Sequence, residues 1–513
     1  MRKKKMSLAL FVLFLSSIVP VTSITGDPLK GTEKKDDPVG MEYRATPNVI
    51  TGFEENSVGA GVEGATIQGG GRLAFPNRGV GDFGAVGGGE GNLAGDRATV
   101  SGGSLNQASG FRSSVGGGSN NIAQGEHSTV SGGSNNTASA TRSTISGGCY
   151  NTASHFDTTI GGGAGNSASF THATVGGGTR NTASSLDATV SGGSNNLASG
   201  AYATVSGGSS NLASGFGAVI GGGSGNTTRA SNTTVSGGLG NRISDHYSTV
   251  GGGLGNTAGN RNEDLADAQY STVSGGIDNT AAGLGSAVGG GGNNVTEGSF
   301  STVPGGFRNQ ADGHYSFAAG SHASIHSSHP GTFLYADSTD NRFDSNAANE
   351  FAVRATGGVR FVTGTDLLGI PNAGVRLESG SSSWSYMSTR DIKANFSFVE
   401  AKQVLQKLFN VPIRTWSYRH QTPSIQHMGP LAEDFYAAFG LGEDEEYINT
   451  VDVEGVALAA IQGLYQLVRE QQDQMMAQQG RIASLEIEKA NQQEHLAALE
   501  ARLARIEQGI RLK

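Results

Sequence analysis

Between Val86 and Val303 the chain repeats itself every fifteen residues, and a repeat this short excludes an ordinary globular core. An aliphatic residue stands at 86, 100, 115, 130, 145, 160, 175, 190, 205, 220, 235, 250, 273, 288 and 303. Six places after each comes an Asn, from Asn92 and Asn106 to Asn309, with a Gly pair nearly always between them and a small residue, usually Ala, two places on. Fifteen residues are too few for a helical repeat and suit one turn of a narrow β-solenoid. In A-T-V-S-G, alternation turns Val and its small flanks inward, with Thr and Ser outward. Ala at the eighth place after Val supplies a second inward position. Gly-Gly supplies a corner where φ can be positive. The Asn is expected to bond the turn backbone and to ladder onto the Asn residues above and below.

One Val and one Ala per coil is little apolar surface against the ordering entropy of fifteen residues, about 1 kcal/mol or more each. A lone filament of this kind is expected to be marginal, and three chains sharing a face are not. Glycine is 82 of 513 residues, without the every-third spacing of collagen. Charged residues are 15% and avoid the repeat, and with a net charge of −9 nucleic acid is excluded as a partner. The single cysteine, Cys149, permits no disulfide framework within one chain. No cofactor or metal site is expected.

Residues 1–23 read as a secretory signal: Arg2 and Lys3 to Lys5, an apolar run from Leu8 to Val19, then Val21 and Ser23 at the small-residue positions. Residues 24–45 read as a flexible lead, 46–320 as the solenoid and 321–387 as a small β neck built on Thr332–Tyr335, Glu350–Arg354 and Gly358–Val362. The count breaks once: 250 to 273 is eight longer than fifteen. That insertion, with Arg261, Glu263, Asp264 and Asp267, reads as a solvated loop, a ligand or cation loop being the alternative. Beyond 398 the pattern turns helical, with helices expected over Val399–Leu408 and Leu431–Phe439, a strand over Pro412–Tyr418 and a long helix from Glu454. Steps of seven from Ile461 give Val468, Met475, Ile482, Lys489, Leu496, Leu503 and Ile510; steps from Leu464 give Gln471, Gln478, Leu485, Gln492, Leu499 and Ile506. This is a coiled coil over 464–513, and together with the solenoid's need for a shared face it leads to a trimer. No membrane-spanning segment is expected in the mature chain, nor barrel strands at its end.

Four blocks carry chemistry: Met387-Ser388-Thr389-Arg390-Asp391-Ile392-Lys393, Trp416-Ser417-Tyr418, His427 through Asp434, and Gly455 through Ala460. Their order and spacing resemble the C-terminal intramolecular chaperone domain of phage endosialidase tailspikes and related fibre proteins, over residues 388–513. The resemblance implies a domain (388–463, before the coiled coil) that assembles the trimer and then cuts itself off before a Ser. Ser388 would be the nucleophile, Lys393 the base, Met387–Ser388 the scissile bond and His427 a candidate supporting group. The family usually carries Asp directly after the Ser; Thr389 stands there in this chain and an Asp follows at 391. The solenoid resembles, more loosely, the left-handed β-roll heads of trimeric autotransporter adhesins, with Gly-Gly and Asn in place of part of their motif.

Other chemistries lack their residues. Gly161 to Gly165 imitates a phosphate loop with no helix after it. Calcium-binding nonapeptides need a nine-residue period, and no carboxylate pair recurs for glycan hydrolysis. The expected protein is therefore mainly β: a secreted or surface-held, adhesin-like homotrimer with a host or surface glycan or protein as receptor, and at most one self-cleaving turnover per chain. Two alternatives stand beside it. One is a phage-type tail fibre, which as a rule lacks a secretory signal. The other is an ice- or crystal-surface binder, suggested by Thr before Val at eleven positions including 129, 144, 159, 174, 189 and 204.

Overall fold

The computed structural model describes residues 46–511, so the expected signal and lead lie outside the described residues. Two compact units divide them, 46–361 with 376–385, and 362–375 with 386–511.

The first unit is a parallel β-solenoid. Each coil contributes two-residue strands to two files, and one file runs to 20 strands. Thr99 and Val100 pair in register with Ser114 and Val115, while Gln107 and Ala108 pair with Ile122 and Ala123 in the other file. A third line of single bridges, Ser104 to Ser119 to Ser134 to Cys149, closes the coil. At a strand spacing of about 4.8 Å the stack is a column roughly 90 Å long.

The inward positions are as the alternation requires. Val100, Ala108 and their equivalents are fully buried, and the Thr and Ser beside them, Thr257 and Ser244 apart, are not. The Asn residues are buried too, and their bonds explain why. Asn196 donates its N–H to Asn181 Oδ1 at 3.0 Å, and its Nδ2 to Gly192 O at 2.9 Å and Gly208 O at 3.0 Å. Its own Oδ1 accepts the Asn211 N–H at 3.0 Å. Each coil thus has a polar core strut as well as an apolar one, all satisfied within one chain. The Asn fills a third inward place beside the Val and the Ala of each coil. Glycine is needed at the corner beside it, since at Gly193 (φ +89°) an added Cβ would lie 2.1 Å from Gly208 O. Replacing Asn196 by Leu should cost about 1–3 kcal/mol by stranding these turn groups. Leu at half-buried Ser194 should cost under about 0.5 kcal/mol. Equal losses in urea denaturation would mean that the strut carries nothing.

The solenoid does not stop where its period does. Phe333–Ala336 pairs in parallel with Phe317–Gly320, and Phe351–Arg354 pairs in parallel with Phe333–Ala336. Two of the strands expected in a neck are therefore two wider coils. Phe317, Phe333 and Phe351 stack along them with ring centres 4.7 and 4.8 Å apart. Arg354 Nε meets Asp337 Oδ1 at 3.0 Å in this last stretch. Thr356, through its hydroxyl and N–H, holds the Asp337 carboxyl well below the usual carboxylate range. Three further strands follow, Val359–Thr365, Pro371–Leu377 and Trp384–Tyr386.

In the second unit, α1 (Ala401–Phe409), α2 (Ala432–Phe439) and α3 (Thr450–Arg511) fall where the pattern puts them. An antiparallel pair, Arg414–Trp416 with His427–Gly429, sits between α1 and α2 in sequence. The α1–α3 crossing is close because small residues line it. Ala401, Ala460 and Gly463 are buried, and a Cβ on Gly463 would lie 2.4 Å from Ala401 O. Helix α2 ends on Gly440 in the left-handed region (φ 61°), whose N–H returns to Tyr436 O.

Candidate functional site

The segment after Tyr386 turns once as a short 3-10 helix, Arg390–Ile392, and then extends again at Lys393. That single turn folds position 393 back over position 388. Lys393 Nζ lies 2.6 Å from Ser388 Oγ and donates to it. The hydroxyl is thus not spent on capping the turn. Thr389 holds the cap position (φ −83°, ψ 158°), and its side chain makes no capping bond. Ser388 and Lys393 are both exposed, as is Met387 on the other side of the expected scissile bond. Ser–Lys chemistry needs an amine that can shed its proton, which burial favours and water opposes. In one chain the pair has its geometry and lacks its dry surroundings.

His427 is engaged elsewhere. Its Nε2 is 2.8 Å from Gln421 Oε1, and its ring packs 4.8 Å from Trp416 and 5.4 Å from Tyr418. No hydrogen bond joins it to Ser388 or Lys393 among the described residues. Sequence order alone did not point to Tyr386, which stands two residues before Ser388 and donates its hydroxyl to Glu454 Oε2 on α3 at 2.8 Å. That contact ties the chain just before the pair to the start of the long helix. The Glu454 carboxylate also pushes the Tyr386 phenol up.

Helix α3 carries the other feature with functional content. Ile461, Leu464, Val468, Met475, Ile482, Leu485, Leu496, Leu499, Leu503, Ile506 and Ile510 are all exposed. They are the apolar members of the two heptad series, and nothing among the described residues covers them. Near its start α3 also contains a stretch long and apolar enough, by length and composition, to cross a membrane, with mean hydropathy 1.2. The average is high because seam residues recur every three or four places, but Glu454, Gln462 and Gln466 interrupt them.

On the solenoid, large side chains collect at one corner of successive coils. Tyr247 and Tyr270 stack at 5.2 Å, and Phe300 and Tyr315 at 5.7 Å. All four remain exposed. The Thr file also exists: Thr129, Thr144, Thr159, Thr174, Thr189 and Thr204 pair in register. All but Thr159 are only half-exposed. Among the described residues, no group of three or more His, Cys, Asp or Glu is placed to hold a metal.

No family model matches the chain, and no curated protein matches it.

Proposed function

We propose that this chain is a secreted, trimeric, fibrous surface protein of adhesin-like type, whose C-terminal unit drives trimer assembly and then cuts the chain once between Met387 and Ser388. The observation that carries the reading is the exposed apolar seam of α3, two heptad series long. A soluble helix leaves so long a stripe bare only when a partner helix covers it, and membrane insertion accounts less well for the Gln and Glu set among the apolar residues. The release step rests on the Lys393–Ser388 hydrogen bond and on the resemblance to self-cleaving tailspike domains.

The physics of the solenoid gives such a unit a purpose. Identical coils offer identical pairings at many registers, so three chains brought together without a guide can meet out of step. A coiled coil at one end fixes their alignment first. Because the coils fill their own interior, the drive to associate comes mainly from α3 and less from a face shared between solenoids. Export is proposed on the residues 1–23 pattern, and a host or surface receptor on the length and repetition of the solenoid.

Mass spectrometry of the exported protein tests the reading in one measurement. The expected result is loss of residues 1–23, a chain break before Ser388 and, under native conditions, three times the chain mass. A monomer with an intact chain would sink it.

A further inference from the structure

From 110 to 315, three consecutive residues turn one corner of each coil, 110–112 in the first and 313–315 in the last, and the third of them is in the left-handed region. Rings occupy that corner on a rule of their own. With histidine counted, two coils with a ring are followed by one without, through five pairs of rings and four ringless levels. Toward the C-terminal end the pairs are Tyr202–Phe216, Tyr247–Tyr270 and Phe300–Tyr315, with ring centres 5.3, 5.2 and 5.7 Å apart. His155–Phe170 and Phe111–His127 precede them at 5.1 and 6.2 Å. The levels between carry Arg142, Asp187, Asn232 and Gly285 at the left-handed position.

Neither packing nor copying accounts for the gaps. Phe317, Phe333 and Phe351 stack through three successive coils of the same solenoid, so a third ring is sterically admissible. A duplicated three-coil unit would keep each ring in its column. Here Phe170 comes from the first corner position, Phe216 from the second and Tyr202 and Tyr270 from the third, so the level is kept and the column is not. A second copy of the chain does not need the gaps either, because parallel copies meet level with level and a shared edge gains from a ring in every coil. The rings are also open to water. Phe216, Tyr270 and Tyr315, the upper members of their pairs, are 53, 57 and 69% exposed, each more than the ring below it, since the far side looks onto a level with no ring.

At about 4.8 Å per coil the pairs recur about every 14 Å along the edge. A row of this kind suits a ligand with a repeat of its own, which an extended polymer has and a globular partner lacks. An aromatic face is electron-rich and receives the C–H-bearing face of a sugar ring. From 200 to 315 the three corner positions carry no Lys, Arg or Glu, and their one Asp, Asp245, is buried. That matches an uncharged polymer and leaves a phosphodiester backbone nothing to pair with. We propose that this edge binds a linear, uncharged polysaccharide, each ring pair serving as one platform for its sugar rings. The proposal rests on the reading of the chain as a surface protein with a receptor, and on neither its trimer nor its cleavage. One platform holds weakly, and a polymer that spans several gains by effective concentration.

Gel electrophoresis of the full-length exported protein through soluble neutral polysaccharides (hydroxyethyl cellulose, glucomannan, mixed-linkage β-glucan and galactomannan) tests the site, with polygalacturonate and oligo(dT) as charged controls. At least one neutral polymer should retard the protein, and chains that reach two platforms should bind about tenfold or more tighter than chains that reach one. Tyr270→Asn combined with Tyr315→Asn uses the residue that this corner carries at 232 in the same conformation. The double variant should bind about tenfold more weakly with its β-type circular dichroism unchanged. Leu254→Ala with Ile277→Ala, exposed on another line of the coil, should leave binding as it is. Asn232→Tyr fills one ringless level and should weaken binding; tighter binding would overturn the spaced row. Retardation by none of the neutral polymers, or equal retardation of the Tyr270 and Tyr315 double variant, would overturn the site. The native mass of the same preparation reports on the fibre separately, so a trimer that ignores every polysaccharide overturns the ligand alone.

Discussion

Ile482→Glu is expected to convert the proposed trimer into monomers. Ile482 is 55% exposed on α3 and stands in the same heptad series as Met475 and Leu496. In a three-stranded coil its three copies would share one layer. Removing them forfeits about 2 kcal/mol per side chain, and each carboxylate left unpaired in that layer costs several kcal/mol more. The total exceeds what the neighbouring layers can absorb, because Gln478 and Lys489 already dilute the seam on either side. Light scattering should report the mass of one chain, and helical circular dichroism should fall as α3 loses its support. Ser484→Glu, off the seam, serves as the control and should leave the assembly intact. A trimer of unchanged mass in Ile482→Glu would show that the seam has another use.

Much of this architecture could be read in the chain, because an in-register solenoid writes each structural position once per coil. The Val, Ala and Asn columns are of that kind, and the structure puts all three inside. What stayed illegible has no column of its own. Arg112 and His127 adopt the left-handed region (φ 55° and 58°) at a corner whose residue type varies from coil to coil. A conformation of this sort costs about 1–3 kcal/mol and persists only where its surroundings fix it. Here the previous coil does so, since Arg112 donates its N–H to Asp96 O at 3.1 Å and His127 to Phe111 O at 2.8 Å. The continuation past residue 320 was hidden for a related reason. Parallel backbone pairing needs no fixed period, and the remaining signal was the Phe317, Phe333, Phe351 column at unequal spacing. At the site, the Ser388 to Lys393 spacing was legible because a single turn brings the two together. The place of His427 was not, since it depends on the Trp416 and Gln421 contacts that a linear motif does not contain.

Ser388→Ala and Lys393→Ala should each leave the chain uncut at Met387–Ser388 while the trimer still forms. In the proposed reaction Ser388 Oγ attacks the Met387 carbonyl carbon, and the bond that breaks is to the nitrogen of Ser388 itself. Lys393 takes the hydroxyl proton and returns it to that nitrogen, so the peptide becomes an ester with a free amine. Water then hydrolyses the ester and releases a fragment beginning Ser388-Thr389-Arg390. The Lys393 Nζ–Ser388 Oγ contact of 2.6 Å is the geometry this proton transfer requires. Both residues are exposed in a single chain, so the proposed reaction requires that packing of three chains strip water from the amine. Cleavage should therefore be first-order in trimer, occur once per chain, and vanish in Ile482→Glu although both members of the pair remain. Thr389 stands where the self-cleaving tailspike domains that this segment resembles carry Asp, and Thr389→Asp should raise the rate. An intact chain in both the wild type and Thr389→Asp trimers would reduce the C-terminal unit to a permanent clamp, with the serine and lysine as a hydrogen-bonded pair and nothing more.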